Sequence, residues 1–450
     1  MKRGSLKDII VIGGALFAMF FGAGNLIFPP ALGLQCGSLW WLGFLFYFLA
    51  DLGIGVVAII AMGRLDGRVG RVTEPLGRIP SALISVLIII AIGPGLAIPR
   101  TAATTYELGI VPLLGIPEAP LSRALVSAVF FALVLLLALR SGKVVDLVGK
   151  ILTPLLLITL LFLIIKGAAL PVGLNDAPPV SQVIRDGVFN GYQTLDMLGA
   201  IFFSVLIINS IREKGYSDGR SLSRISLSSS LVAAAMIFLV YGGLAYLGAG
   251  AGSAYYDAYH SGAINQAGLL AATIRDVLGR AGLTVQALVV SSACLTTAVG
   301  LTSSAAEFFC DLTKGRLPYK ATVAAICLIS ALTCNVGLSR IISISAPILM
   351  ILYPLTILMV VTVFLRNKVT DVLPYRLSAA VTLIFSIFEV MGDTLGLTGI
   401  KAFIAGLPLS SFGFSWLIPA ALAFALGAVI GSRRKRRAVQ ASGRNVSTVF

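Results

Sequence analysis

Apolar runs of roughly 20 residues follow one another along this chain, each long enough to cross a bilayer core of about 30 Å as a helix. Short polar stretches rich in Lys, Arg, Gly and Pro separate them. The pattern predicts twelve helices, over 9–31, 39–62, 81–110, 122–139, 145–166, 189–210, 226–249, 284–309, 321–337, 341–365, 376–392 and 413–431. The third is interrupted by Pro94, Pro99 and Arg100. The start, MKRGSLKD followed by an apolar run, is similar to a signal peptide, but no small-residue cleavage site follows a short apolar core. The run is therefore read as the first span. The expected fold is an all-α integral membrane protein with one transmembrane domain over 1–431.

Composition fits that class. The 450 residues are 58% hydrophobic and 12% charged, with mean hydropathy +0.98. Soluble domains carry about 45–50% apolar and about 25% charged residues, so this chain has too few charges to cover a water-facing surface. A net charge of +15 would suggest nucleic acid in a soluble protein. In a membrane protein it reflects basic residues retained on the cytoplasmic side, and no nucleic-acid partner is expected. With the N-terminus inside, 26 of the 34 basic residues fall in cytoplasmic segments. The other eight are Arg100, Arg123, Lys166, Arg185, Arg275, Arg280, Arg340 and Lys401. That asymmetry favours twelve spans with both termini cytoplasmic. The segments 167–187 and 251–283 then face outward, with a possible amphipathic helix over 263–279. Residues 432–450 read as a disordered basic tail attracted to anionic lipid. The five cysteines show no metal or disulfide spacing, and the single histidine, His260, lies in a polar loop. No enzyme active site, metal cluster or cofactor is expected.

Three spans carry unusual chemistry. The first contains FFGAGNLIFPP, residues 20–30, where two glycines, Asn25 and Pro29–Pro30 interrupt an apolar helix. Glycine removes the bias toward helix and proline removes a donor. Freed amides at membrane depth need protein, water or a ligand to satisfy them. A small-residue packing face or a simple kink is the alternative. The sixth contains NGYQTLDMLGAIFFS, residues 190–204, with Thr194 and Asp196. Acids at this depth are rare and functional, unless they sit at a wet mouth or a helix end. If helices one to five form a unit, the second unit starts at helix six from the opposite side. That is an inverted repeat with its two broken helices facing each other, the arrangement of secondary transporters. Repeat one then covers about 9–166 and repeat two about 189–365, with two extra helices over about 376–431. The eighth span, CLTTAVGLTSSAAEFF at 294–309, crowds hydroxyls on an apolar helix. They either bond back to their own helix or supply neutral oxygens to a monovalent ion. Asp51, Glu107, Glu389 and Asp393 are further candidate relays, or residues of helix ends and pairs.

FFGAGNLIFPPALGLQCG, GPGLAIPRTAATTYELGI at 93–110, GKILTPLLL at 149–157 and LTTAVGLTSSAAEFF at 295–309 resemble the branched-chain amino acid:cation symporter family. The resemblance covers nearly the whole chain. It implies sodium-coupled, sometimes proton-coupled, uptake of leucine, isoleucine and valine, on the amino acid–polyamine–organocation architecture. Gly22-Ala23-Gly24-Asn25-Leu26-Ile27-Phe28-Pro29 is also similar to the break in helix one of neurotransmitter:sodium symporters. That alignment implies that Ala18 and Phe21 offer carbonyls to sodium, Val299 a carbonyl, and Thr302 and Ser303 hydroxyls. Helix six departs from the pattern, since Thr194-Leu195-Asp196 has no clear counterpart. The expected substrate site is Gly22, Ala23, Gly24 and Asn25 with Thr194, Leu195 and Asp196. A proton-coupled carrier of another small neutral solute is the alternative, ahead of a channel or sensor. Lys150, near Thr153 and Pro154, is either an ordinary cytoplasmic anchor or, if buried beside helix eight, an ammonium that replaces the sodium ion and carries a proton.

Overall fold

In the computed structural model the described residues are 5–139, 143–169, 173–216 and 218–441, and among them the regular structure is all helical. They form two compact units, Met1–Gly67 with Val86–Leu349, and Arg68–Ser85 with Met350–Phe450.

The first unit opens with α1 (Leu6–Phe20) and α2 (Ala23–Cys36), so the expected span 9–31 is two helices. α3 (Trp40–Phe48) runs through a widened turn, Leu49–Gly53, into α4 (Ile54–Arg64). α5 (Arg78–Ile90) enters from the second unit and ends in a widened turn, Ala91–Gly95, where Gly93 is non-helical. Pro94 lacks a donor there, and α6 (Ala97–Thr104) resumes the path. α7 (Pro120–Leu139) and α8 (Lys143–Ala168) follow. The next pair is α9 (Val180–Thr194) and α10 (Asp196–Glu213), so the sixth span starts nine residues earlier than expected, inside the predicted outer loop. α11 (Gly219–Gly250) comes next. α12 (Gln266–Leu312) bends at Gly279, φ 66°, which joins the expected amphipathic segment to the eighth span. α13 (Tyr319–Cys334) completes the set, and α14 (Leu338–Val363) passes into the second unit.

α2 and α11 touch backbone to backbone. A Cβ added at Gly33 would lie 1.9 Å from the Ala245 carbonyl oxygen, and one at Gly248 would lie 1.9 Å from that of Pro30. Small residues permit such approach, which is how membrane helices gain dispersion energy without a hydrophobic drive. Away from contacts the helices stay apolar. α7 exposes Leu121, Leu125, Val129 and Leu133 at four-residue spacing, a stripe suited to lipid.

In the second unit α15 (Leu373–Thr394) lies along α16 (Leu417–Ala441), with Gly427 against Pro374 and Tyr375 edge-on to Phe424. The Arg366 guanidinium donates to the carbonyls of Arg71, at 2.6 Å, and Val72. α16 continues through 432–441, where the sequence reading expects a disordered tail; residues 442–450 lie outside the described residues. By length and composition, nine helical runs among the described residues can cross a membrane, and Leu157–Ala168 and Tyr319–Cys334 are shorter apolar helices.

Candidate functional site

The site lies where two helices stop and restart. α1 ends at Phe20, and the Phe21 amide bonds back to the Phe17 carbonyl at 2.8 Å. Gly22 is extended (φ −124°, ψ −158°) and passes the chain to α2. A side chain at Gly22 would meet Thr297 of α12 at 3.2 Å. The Asn25 Oδ1 accepts the Gly22 N–H at 3.0 Å, so this residue caps its own helix. The second interruption is Leu195, buried and left-handed (φ 71°, ψ 8°) between α9 and α10. That conformation costs a residue with a Cβ about 1–2 kcal/mol, and such strain is held where the surrounding structure over-determines it.

Side chains tie the two breaks together. The Asn25 Nδ2 donates to Asp196 Oδ2 at 2.6 Å and contacts the Tyr241 hydroxyl, which itself donates to Asp196 at 3.2 Å. From α6, the buried Arg100 guanidinium donates to the Gln193 carbonyl at 2.5 Å and the Thr194 carbonyl at 3.1 Å. Its charge sits 5.5 Å from the Phe28 ring centroid. The Gln193 Oε1 accepts from Ser345 at 2.9 Å. The Thr194 hydroxyl contacts Asp51 Oδ1 at 2.5 Å and the Gly191 carbonyl at 2.7 Å.

A small cavity lies between these elements. All seven expected substrate residues line it: Gly22, Ala23, Gly24, Asn25, Thr194, Leu195 and Asp196. Arg100, Thr101 and Thr297 add polar lining, and Phe20, Phe203 and Leu301 add apolar wall. The expected sodium residues do not line this cavity. Thr302 is fully buried, and its hydroxyl has no hydrogen-bond partner among the described residues. Val299 is buried, while Ala18 and Ser303 are half-buried. The Phe21 carbonyl is approached by the Thr297 hydroxyl at 3.4 Å. The side chain of Lys150 lies outside the described residues.

The electrostatics follow from four helix ends. N-terminal ends offer amides and suit anions, while C-terminal ends offer carbonyls and suit cations. The protein fills two of the four itself: Asp196 opens α10, and Arg100 closes α9. The other two are the start of α2, where Ala23 and Gly24 line the cavity, and the end of α1, where Met19 and Phe20 line it.

Arg100, Tyr241 and Asp51 join the site without having been assigned to it from sequence. Arg100 and Asp51 carried a signal, since each is an ionisable residue inside an apolar run; Tyr241 carried none. The other candidate relays hold structure. Glu107 accepts from the Leu338 amide at 3.0 Å and from Asn265 at 2.9 Å. Glu389 accepts from Ser415 at 2.6 Å, and Asp393 pairs with Lys401 at 3.4 Å.

A family model described as branched-chain amino acid transport protein matches residues 5–434. The branched-chain amino acid transport system 2 carrier protein of Pseudomonas aeruginosa is 36% identical over 428 residues, covering 94% of this chain and 95% of its own. The branched-chain amino acid permease BrnQ of Escherichia coli is 34% identical over 443 residues, covering 97% and 98%. Among solved structures, a manganese transporter of Eremococcus coleocola superposes with TM-score 0.62 at 15% identity, over 95% of this chain and 97% of that one. MhsT in complex with L-phenylalanine superposes with TM-score 0.59 at 17% identity, over 95% and 99%. A transporter of the nucleobase-cation-symport-1 family does so with TM-score 0.57 at 14%, over 94% and 93%. At these identities the likeness shows the fold alone, the leucine-transporter fold of membrane carriers.

Proposed function

The chain belongs to the branched-chain amino acid transport proteins, a family of bacterial multi-pass membrane transporters and not of enzymes, and on that premise we propose that it takes up leucine, isoleucine and valine by sodium symport with alternating access. The observation that carries this reading is the pairing of two broken helices around one cavity, joined by Asn25 and Asp196. A free amino acid presents a carboxylate, an ammonium and a side chain. The carboxylate fits the free amides of Ala23 and Gly24 and the helix dipole behind them. The ammonium fits Asp196 and the carbonyl side of the Leu195 break. Phe20, Phe203 and Leu301 receive the side chain. One methylene in an apolar pocket is worth about 1–3 kcal/mol, which favours leucine over alanine and separates leucine, isoleucine and valine weakly.

Sodium completes the charge pattern. The carbonyl end of α1 suits a cation, and the partnerless buried hydroxyl of Thr302 supports a donor set with Ala18, Phe21, Val299 and Ser303. The membrane architecture in this reading is twelve spans in a five-plus-five inverted repeat with two added helices, both termini cytoplasmic. The test is purified protein in liposomes with radiolabelled leucine. An inward sodium gradient should drive accumulation that unlabelled isoleucine and valine suppress. Leucine entry that equilibrates without accumulating would point to a passive pore, and accumulation indifferent to sodium would remove the coupling ion.

A further inference from the structure

The Thr194 hydroxyl has three polar neighbours and one hydrogen. It lies 2.5 Å from Asp51 Oδ1 and 2.7 Å from the Gly191 carbonyl, and the Asp196 amide points at it from 3.3 Å. A hydroxyl donates once and accepts twice. The Asp196 amide only donates, and the Gly191 carbonyl only accepts. The Leu195 amide has turned to Tyr192, which leaves the Gly191 carbonyl to the Thr194 hydroxyl. With Asp51 ionised, its Oδ1 and the Gly191 carbonyl would compete for a single hydrogen, and one short O···O contact would hold no proton. With Asp51 protonated, every contact is satisfied: the acid donates to Thr194, Thr194 donates to Gly191, and the Asp196 amide donates to Thr194.

A second observation points the same way. Asp51 has no solvent exposure, and its Oδ2 has no hydrogen-bond partner among the described residues. A charged oxygen buried without a donor is far costlier than the carbonyl oxygen of a neutral acid. The packing fixes this arrangement. A Cβ at Gly191 would lie 2.7 Å from the Tyr47 carbonyl and 3.4 Å from the Asp51 amide, so α9 presses directly on the widened turn that carries Asp51. The other titratable or charged groups facing it are Asp196 across Thr194, Tyr47 on the preceding turn, Tyr241 from α11, and Arg100 on the carbonyl of Thr194.

We propose that Asp51 is a proton-binding site, occupied in this conformation and read through the Thr194 hydroxyl by the break between α9 and α10. A proton drawn from the aqueous phase binds the carboxylate. When it leaves, Asp51 takes the Thr194 hydrogen, and the Gly191 carbonyl in the last turn of α9 loses its donor. The wall of the substrate cavity therefore changes with the proton. Only the uptake arm of the test rests on the transport reading above.

The direct test is infrared spectroscopy of the purified full-length protein at neutral pH, in light and heavy water. The carbonyl band of a neutral carboxylic acid should be present in wild type, lost in Asp51→Asn, and kept in Asp196→Asn and Thr194→Ser. A band spectrum unchanged by Asp51→Asn, or one lost in Asp196→Asn instead, overturns the assignment. In liposomes at fixed sodium gradient, leucine uptake should vary with pH in wild type and lose at least tenfold of that variation in Asp51→Asn, whose amide mimics the neutral acid. An equal pH profile in the two proteins also overturns it. Failure of wild type to accumulate leucine would instead count against the transport reading, and the infrared result would stand.

Discussion

Single side chains in this site have separable jobs. Asp196 meets Asn25, Tyr241 and the cavity at once. Asp196→Asn keeps the shape and removes the charge that faces the substrate ammonium. Hydrogen bonds to charged groups are worth about 1.5–3 kcal/mol, so leucine affinity at fixed sodium should fall by roughly tenfold to a hundredfold. Binding within twofold of wild type would leave Asp196 a purely structural residue. Gly24 makes a different point. A methyl group there would lie 2.9 Å from the Arg100 guanidinium and 3.2 Å from the Thr194 Cα. The first can shift, and the backbone cannot do so cheaply. Gly24→Ala should cut leucine binding at least about tenfold, a change of about 1.4 kcal/mol, while the thermal midpoint in detergent stays near wild type. Thr302 allows the cleanest separation of folding from ion binding. Its buried hydroxyl bonds nothing among the described residues, so Thr302→Val removes no bond seen there and should not lower stability. The sodium concentration for half-maximal uptake should rise about threefold to tenfold, the scale of one lost polar interaction of about 0.5–1.5 kcal/mol. Unchanged sodium activation in Thr302→Val would take that hydroxyl out of the ion site.

At the scale of elements, the broken helices were legible because their cause is local. Glycines and Asn25 mark the first interruption and Asp196 the second, whereas Pro29–Pro30, expected to interrupt the span, lie inside α2. What brings the breaks together is not local. Arg100 and Asp51 come from other helices, and their meeting with α9 depends on helix rotation and on close approach at Gly191. The start of α9 was misplaced for a related reason. Its first turns hold Val180, Ser181, Gln182, Arg185 and Asp186, too polar to read as membrane helix and flanked by Pro178–Pro179. Glycines separate in the same way by context. At Gly33 and Gly248 an alanine would collide with backbone, and overpacking costs about 1–3 kcal/mol. Gly33→Ala and Gly248→Ala should lower the thermal midpoint in detergent. Gly14→Ala, with nothing within 4 Å, should hold or raise it, since alanine favours helix by about 1 kcal/mol over glycine. Equal midpoints in all three would show that α2 and α11 do not rely on backbone contact.

Across the whole molecule, the same few charges have a consequence that no single contact displays. In the unloaded carrier, with the proton on Asp51, the cavity charges are Arg100 and Asp196, one positive and one negative. A zwitterionic amino acid leaves that balance unchanged, and a sodium ion raises it by one. A membrane potential exerts about 2.3 kcal/mol per elementary charge per 100 mV. On the proposed sodium-coupled cycle the loaded form would be pulled inward by an interior-negative voltage, and the empty form would return without opposing it. In liposomes clamped by potassium diffusion potentials, sodium-driven leucine uptake should accelerate as the interior becomes more negative. Exchange of internal for external leucine at saturating sodium on both sides should show no net current, because the same charge crosses in each direction. In the proposed cycle buried Arg100, which caps the end of α9, would also cancel the standing charge of the empty site and let the membrane voltage act on the incoming ion alone.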